Sequence, residues 1–258
     1  MKTILKVFKI HFTSIIFLFL SFLCGYFKQS LFIFTIVIIH ELGHVFFIKL
    51  FKYPIISITI YPFGGITKVN KKINSSIYAD LIISMGGIFL QIILYIILIN
   101  QTYLSVYDTN FLLFYNKIIF FFNLIPIIPL DGAIFLKGIL ELFMPYEKTE
   151  VVIQNISLFI FLLFLFCNYY YKLNNYYICG VLMYQMITYK QKVKYLLNRF
   201  YLERYLYSFH YQNIINESSL NYHLLRKNTK HFFYNGKYYI DEKAVLKSHF
   251  YDFSCQSK

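Results

Sequence analysis

The sequence predicts an all-α polytopic membrane protein, with about six transmembrane helices, a short β-element between the second and third, and a small α+β cytoplasmic tail. Three observations predict it. Hydrophobic types make up 58% of the 258 residues and charged types only 14%, whereas a soluble domain carries roughly a quarter charged residues. Mean hydropathy is +0.54. Six apolar stretches reach or approach the ~20 residues that a helix needs to cross a hydrocarbon core. On this apolar background sits a formal charge of +13, from 25 basic and 12 acidic residues, which places basic segments against anionic lipid at the cytoplasmic face. Intrinsic disorder, collagen-like repeats and a nucleic-acid-binding globule are excluded as overall classes.

The first stretch, residues 10–26, follows Lys2, Lys6 and Lys9 in the manner of a secretory signal. No small-residue cleavage site comes before the next stretch, so it reads as a membrane helix. The others are residues 31–51, 79–100, 111–130, 151–171 and the short 176–189. Lys49, Lys52, Lys68, Lys71 and Lys72 lie between the second and third, while residues 100–110 hold no lysine or arginine. Basic residues stay in the cytoplasm, so both termini are placed there. Residues 55–69 alternate well enough for a strand or hairpin. The tail from Lys190 has twelve basic and five acidic residues, a net of +7. Its start, 190–207, reads as a basic amphipathic helix or as the end of the sixth span. Residues 231–234 and 237–240 flank Asn235-Gly236 as strand, turn, strand, and Asp241 can cap a final helix. The domain division expected is 1–190 and 191–258. Cys24, Cys167 and Cys179 lie in apolar runs and read as small buried hydrophobes.

One cluster carries chemistry. The second stretch contains His40-Glu41-Leu42-Gly43-His44. Residues four apart share a helix face, so both imidazoles can reach one metal ion. Glu41 lies on the neighbouring edge, where a carboxylate can hold a water and take its proton. Two imidazoles plus an oxygen ligand suit zinc, which lowers the pKa of water to about 7 and so supplies a nucleophile at neutral pH. The same five residues arise by chance in soluble proteins. Inside an apolar run, two histidines and a glutamate are costly without a partner, and a metal provides one. Residues 123–132, Asn-Leu-Ile-Pro-Ile-Ile-Pro-Leu-Asp-Gly, hold one acid, Asp131, beside two prolines. Broken helices at membrane depth line cavities. Alone, Asp131 reads as a solvated residue past a helix end; beside the histidines it reads as their third ligand.

HELGH in an early span and NLIPIIPLDG in a later one together resemble the site-2 protease family of intramembrane zinc metalloproteases, and Phe63-Gly64-Gly65 fits the same pattern. The resemblance covers roughly residues 1–190. It implies one zinc ion held by His40, His44 and Asp131. Glu41 becomes the general base that activates water and passes a proton to the leaving amine. Asn123, Phe63, Gly64 and Gly65 are implied to meet substrate, with Phe63 as a gate and residues 55–69 pairing with an extended peptide. A helical peptide hides its amides, so strand addition is a physical route to cleavage. The alternative for 55–69 is an amphipathic connector on the membrane surface.

Within that family the layout resembles a sporulation subgroup, and residues 226–252 resemble part of its CBS-type regulatory region. This implies removal of the pro-sequence of a sporulation sigma factor, pro-sigma-K, in the mother-cell membrane around the forespore. Inhibitory membrane proteins are the implied partners, and no nucleic acid. A different class of function, a zinc transporter or metal sensor, would use the same His40, Glu41, His44 and Asp131. It requires polar groups on further spans or an internal repeat, and the sequence offers neither. Gly86-Gly87 reads as close helix packing, Gln91 as an interhelical hydrogen bonder and Asp80 as interfacial.

Overall fold

Backbone groups in hydrocarbon must satisfy their hydrogen bonds internally, so helix dominates an apolar chain of this kind. The computed structural model describes residues 8–61, 64–170, 176–211 and 213–256. They form two compact units, residues 1–71 with 81–125, and residues 72–80 with 126–258. The protein is an integral, multi-pass membrane protein. Among the described residues three helices are long and apolar enough to cross a bilayer, at Phe27–Leu50, Ile77–Asn100 and Tyr146–Cys167. The expected count of six is therefore met only in part.

The first unit begins with strand β1 (Phe8–Ile10), then helix α1 (Phe12–Leu23) and helix α2 (Phe27–Leu50). At 1.5 Å per residue α1 is about 18 Å long, short of a ~30 Å hydrocarbon core. The chain expected to be helical from residue 10 is strand up to Ile10, and His11 caps the helix by accepting from the Thr13 N–H. Strands β2 (Ile55–Tyr61) and β3 (Gly64–Val69) follow as an antiparallel hairpin with Tyr61 opposite Gly64. β1 adds to β2 in parallel, with Phe8 opposite Ile58. The hairpin was legible in the alternation; β1, three residues long, was not.

Helix α2 organises this unit through two adjoining buried stripes. Phe34 and Val45 pack on Ile58 and Ile60, which seats the sheet on the helix. Ile36 packs on Leu98 of helix α3 (Ile77–Asn100) and Leu112 of helix α4 (Val106–Leu124). Lower on the same side, Gly43 meets Gly86 backbone to backbone: a Cβ on Gly86 would stand 2.7 Å from the Gly43 carbonyl oxygen. Small residues permit such approach where helices pack in membranes. Ser105 caps α4 by accepting from the Asp108 N–H. Lys28 then meets the Asp108 carboxylate at 2.7 Å.

In the second unit the proline-containing loop is irregular, and helix α5 opens at Asp131 (Asp131–Phe143). The expected fourth span thus ends earlier, at Leu124, because two prolines cannot continue the helix. Ser157 of helix α6 (Tyr146–Tyr170) holds the loop by accepting from the Ile128 N–H at 3.2 Å. Helix α7 (Tyr176–Leu206) runs on past Lys190, so residues 190–206 are the end of the sixth stretch and no separate surface helix. The tail continues as strands β4 (Asn213–Glu217), β5 (Thr229–Tyr234) and β6 (Tyr239–Asp241), then helix α8 (Glu242–Gln256). β4 and β5 are parallel, β5 and β6 antiparallel. The expected hairpin forms with its turn one residue later: Asn235 N–H bonds the Tyr238 carbonyl, and Gly236 alone takes a positive φ, +75°.

The tail shares a core with the helices of its unit. Tyr146, Phe200, Tyr201, Leu225, Phe233, Val245 and Leu246 form one buried cluster. Lys227, itself buried, reaches Glu141 of α5 at 2.8 Å and Asp80 at 3.6 Å. Asp80, expected as an interfacial acid, is thus an ion-pair partner inside this unit. Cys179 is buried as expected, whereas Cys24 and Cys167 are exposed. Lipid is as apolar as a protein core, so an apolar run does not predict burial.

Candidate active site

Helical periodicity places His40 and His44 one turn apart on α2, and their Nε2 atoms stand 3.1 Å from each other. The reason lies in what holds the opposite ring nitrogens. His44 Nδ1 lies 2.8 Å from the carbonyl oxygen of Ile83. A carbonyl only accepts, so Nδ1 carries the hydrogen and Nε2 of the neutral ring presents a lone pair. His40 Nδ1 lies 3.0 Å from Gln91 Oε1, and with that oxygen accepting, the ring carries the same tautomer. Two lone pairs directed at one point call for a cation between them.

Zinc fits this arrangement. A tetrahedral centre with Zn–N bonds of ~2.05 Å sets its nitrogens ~3.3 Å apart, close to the separation seen. The ring positions are enforced by packing as well. A Cβ on Gly87 would stand 2.6 Å from His40 Nδ1 and Nε2, so only glycine leaves room for the imidazole.

Glu41 is buried, with 7% of its surface exposed. Its Oε1 accepts the Gly65 backbone N–H at 2.9 Å. The first residues of β3 therefore orient the carboxylate, and Gly65 lies so close that a Cβ would stand 2.5 Å from Glu41 Cδ. Of the expected substrate-contact group, Gly64 and Gly65 open β3, while Phe63 lies outside the described residues. Asn123, near the end of α4, donates its side-chain N–H to the Ile119 carbonyl of its own helix at 2.9 Å. Asp131 is the first residue of α5, in the second unit.

Sequence reasoning treated Gln91 only as a bond between helices. The structure gives it a partner of consequence, His40, and buries it completely. Asn116 of α4 donates in turn to the Gln91 backbone carbonyl at 3.1 Å. A signal was present in the sequence: Gln91 is the one amide between Met85 and Ile99, one turn beyond Gly87.

Residues 28–107 match the family model described as Peptidase family M50. The chain is 31% identical over 135 residues to stage IV sporulation protein FB of Bacillus subtilis, covering 51% of this chain and 46% of that protein. It is 30% identical over 162 residues to a zinc metalloprotease of Methanocaldococcus jannaschii, covering 58% and 47%. A solved structure, the site-2 protease from Methanocaldococcus jannaschii, matches 71% of this chain and 89% of its own at 25% identity, with a TM-score of 0.54. The chain thus spans about half the length of the curated relatives it matches. His40, Glu41, His44, Gly65 and Gln91 all fall inside the matched family segment.

Proposed function

We propose that the chain, whose residues 28–107 match the model of Peptidase family M50, is an intramembrane zinc endopeptidase of the site-2 protease type. It hydrolyses a peptide bond of a membrane-associated protein near the cytoplasmic face. The observation that carries this reading is the pair of Nε2 atoms 3.1 Å apart beside the buried Glu41 carboxylate. His40, His44 and Asp131 are the proposed ligands, three residues of types that hold zinc. When bound, the ion supplies Lewis acidity and a nucleophilic water at neutral pH. Glu41 takes the water's proton at a carboxylate oxygen and later delivers it to the leaving amine. Gly65 keeps that carboxylate in place, and the strand it belongs to offers backbone groups to an unwound substrate, with Asn123 and Phe63–Gly65 as contacts.

The finer reading follows the resemblance to the sporulation protein. The substrate is then the pro-sequence of a mother-cell sigma factor, pro-sigma-K, at the membrane around the forespore, under restraint by inhibitory membrane proteins. Six spans with both termini in the cytoplasm, a protease part over 1–190 and a regulatory tail over 191–258 belong to the same proposal. The basic excess of the tail is consistent with that side of the membrane.

The test is reconstitution in lipid vesicles with pro-sigma-K, product mass being read by mass spectrometry and metal by elemental analysis. Wild type is expected to carry one zinc per chain and to cut once within the pro-sequence. His40→Phe is expected to lose both the metal and the cut. Cleavage that persists in His40→Phe would overturn the zinc reading, whereas a zinc-loaded wild type that leaves pro-sigma-K intact but cuts another membrane protein overturns only the substrate.

A further inference from the structure

We propose that Gln91 is a positioning residue for the zinc site, acting by setting the tautomer of His40; the proposal rests on the zinc reading above. An amide presents two unlike faces, an acceptor oxygen and a donor nitrogen. With Oε1 toward His40, as the 3.0 Å contact has it, the ring hydrogen sits on Nδ1 and the Nε2 lone pair aims where that of His44 aims. With the amide turned over, its nitrogen donates to His40 Nδ1 and the ring hydrogen moves to Nε2. The two imidazoles then hydrogen-bond to each other across their 3.1 Å gap and close the site.

His44 has no such freedom, since its Nδ1 partner is the Ile83 carbonyl, which only accepts. Among the contacts described for the two rings, the choice between an open and a closed pair therefore falls on Gln91. Its surroundings suit the task. The residue is fully buried, and Asn116 anchors its backbone carbonyl, so the backbone stays in place while rotation of the terminal torsion exchanges oxygen and nitrogen. Neither leucine nor glutamate can make that exchange. Leucine offers no acceptor. Glutamate, when ionised, offers only acceptors and holds the pair open.

The experiment is a zinc titration of the full chain in detergent, stripped of metal and measured by competition with a chromophoric chelator. Cobalt, added in place of zinc, reports ligand geometry through its visible spectrum. Gln91→Leu is expected to weaken zinc about 10- to 100-fold, the usual effect of losing a partner behind a ligating histidine. Gln91→Glu is expected to bind at least as tightly as wild type, with an unchanged cobalt spectrum. A leucine variant that binds zinc like wild type, or a glutamate variant as weak as leucine, overturns the proposal. If Gln91→Leu fails to fold, the glutamate variant decides by itself, weakened binding counting against. A wild type that takes up no zinc overturns the metal reading as well, and so is distinguishable from a failure at residue 91 alone.

Discussion

Glu41 shows how a single side chain is made ready for chemistry. Its carboxylate is buried on α2, and a strand some two dozen residues further along the chain donates a backbone N–H to it at 2.9 Å. Gly65 is required for this by space, since any Cβ there would overlap the Glu41 side chain. Gly65→Ala is therefore expected to push the carboxylate aside and lower kcat by about 10²-fold, the scale of an ångström-sized misplacement. Zinc content should stay at the wild-type level; loss of metal in this variant, or full activity, would contradict the assignment. At this scale HELGH was legible because helical spacing is local. The partners of its side chains were not. Gln91 lies 51 residues from His40 and Ile83 lies 39 residues from His44, and no periodicity connects positions so far apart.

Between elements the decisive contact is α2 on α3, where Gly43 and Gly86 touch. Gly86→Val is expected to destabilise the protein by about 1–3 kcal/mol through overpacking, read as a lower melting temperature in detergent. Gly180→Val on α7 is the control, because a Cβ there meets nothing within 4 Å. Equal effects from the two would show that valine in a helix, and not the contact, is responsible. The apolar stretches gave the helices readily, since length and composition suffice for that. They gave the ends less well. A stretch that reads as continuous spans β1, His11 and α1 in turn, and the stretch from residue 111 stops at Leu124, where prolines and then Asp131 intervene.

On the scale of the whole chain, the sequence placed a basic tail in the cytoplasm without anticipating that it would share a core with α6 and α7. Lys227 is the clearest case: read only as part of the charge excess, it is buried against Glu141. Lys227→Met removes the nearer of the two ammonium groups on that buried acid, leaving Lys137 at 3.9 Å, and a loss of about 3 kcal/mol is expected, measured by thermal unfolding. A variant as stable as wild type would show the pair to be dispensable. The same tail carries a pH dependence. Burial first, then Arg204 and Arg226, push the His231 imidazole down to about 3, whereas an unfolded histidine titrates near ~6.5. The unfolded state therefore binds the extra proton between these values, and stability present above pH ~6.5 is lost as pH falls toward 3. Protease digestion of the tail should accelerate from pH 7 to pH 5, and His231→Gln should flatten that change. Indifference to pH over this range would contradict it.

Glu41 is the proposed general base of a zinc peptidase whose ligands stay in place without it. The most direct test is Glu41→Gln, reconstituted beside wild type, with zinc content and substrate cleavage measured on the same preparation. One zinc per chain is expected in both, with cleavage lowered by about 10²- to 10⁴-fold in the variant, the span of general acid–base catalysis. Cleavage at the wild-type rate would contradict it.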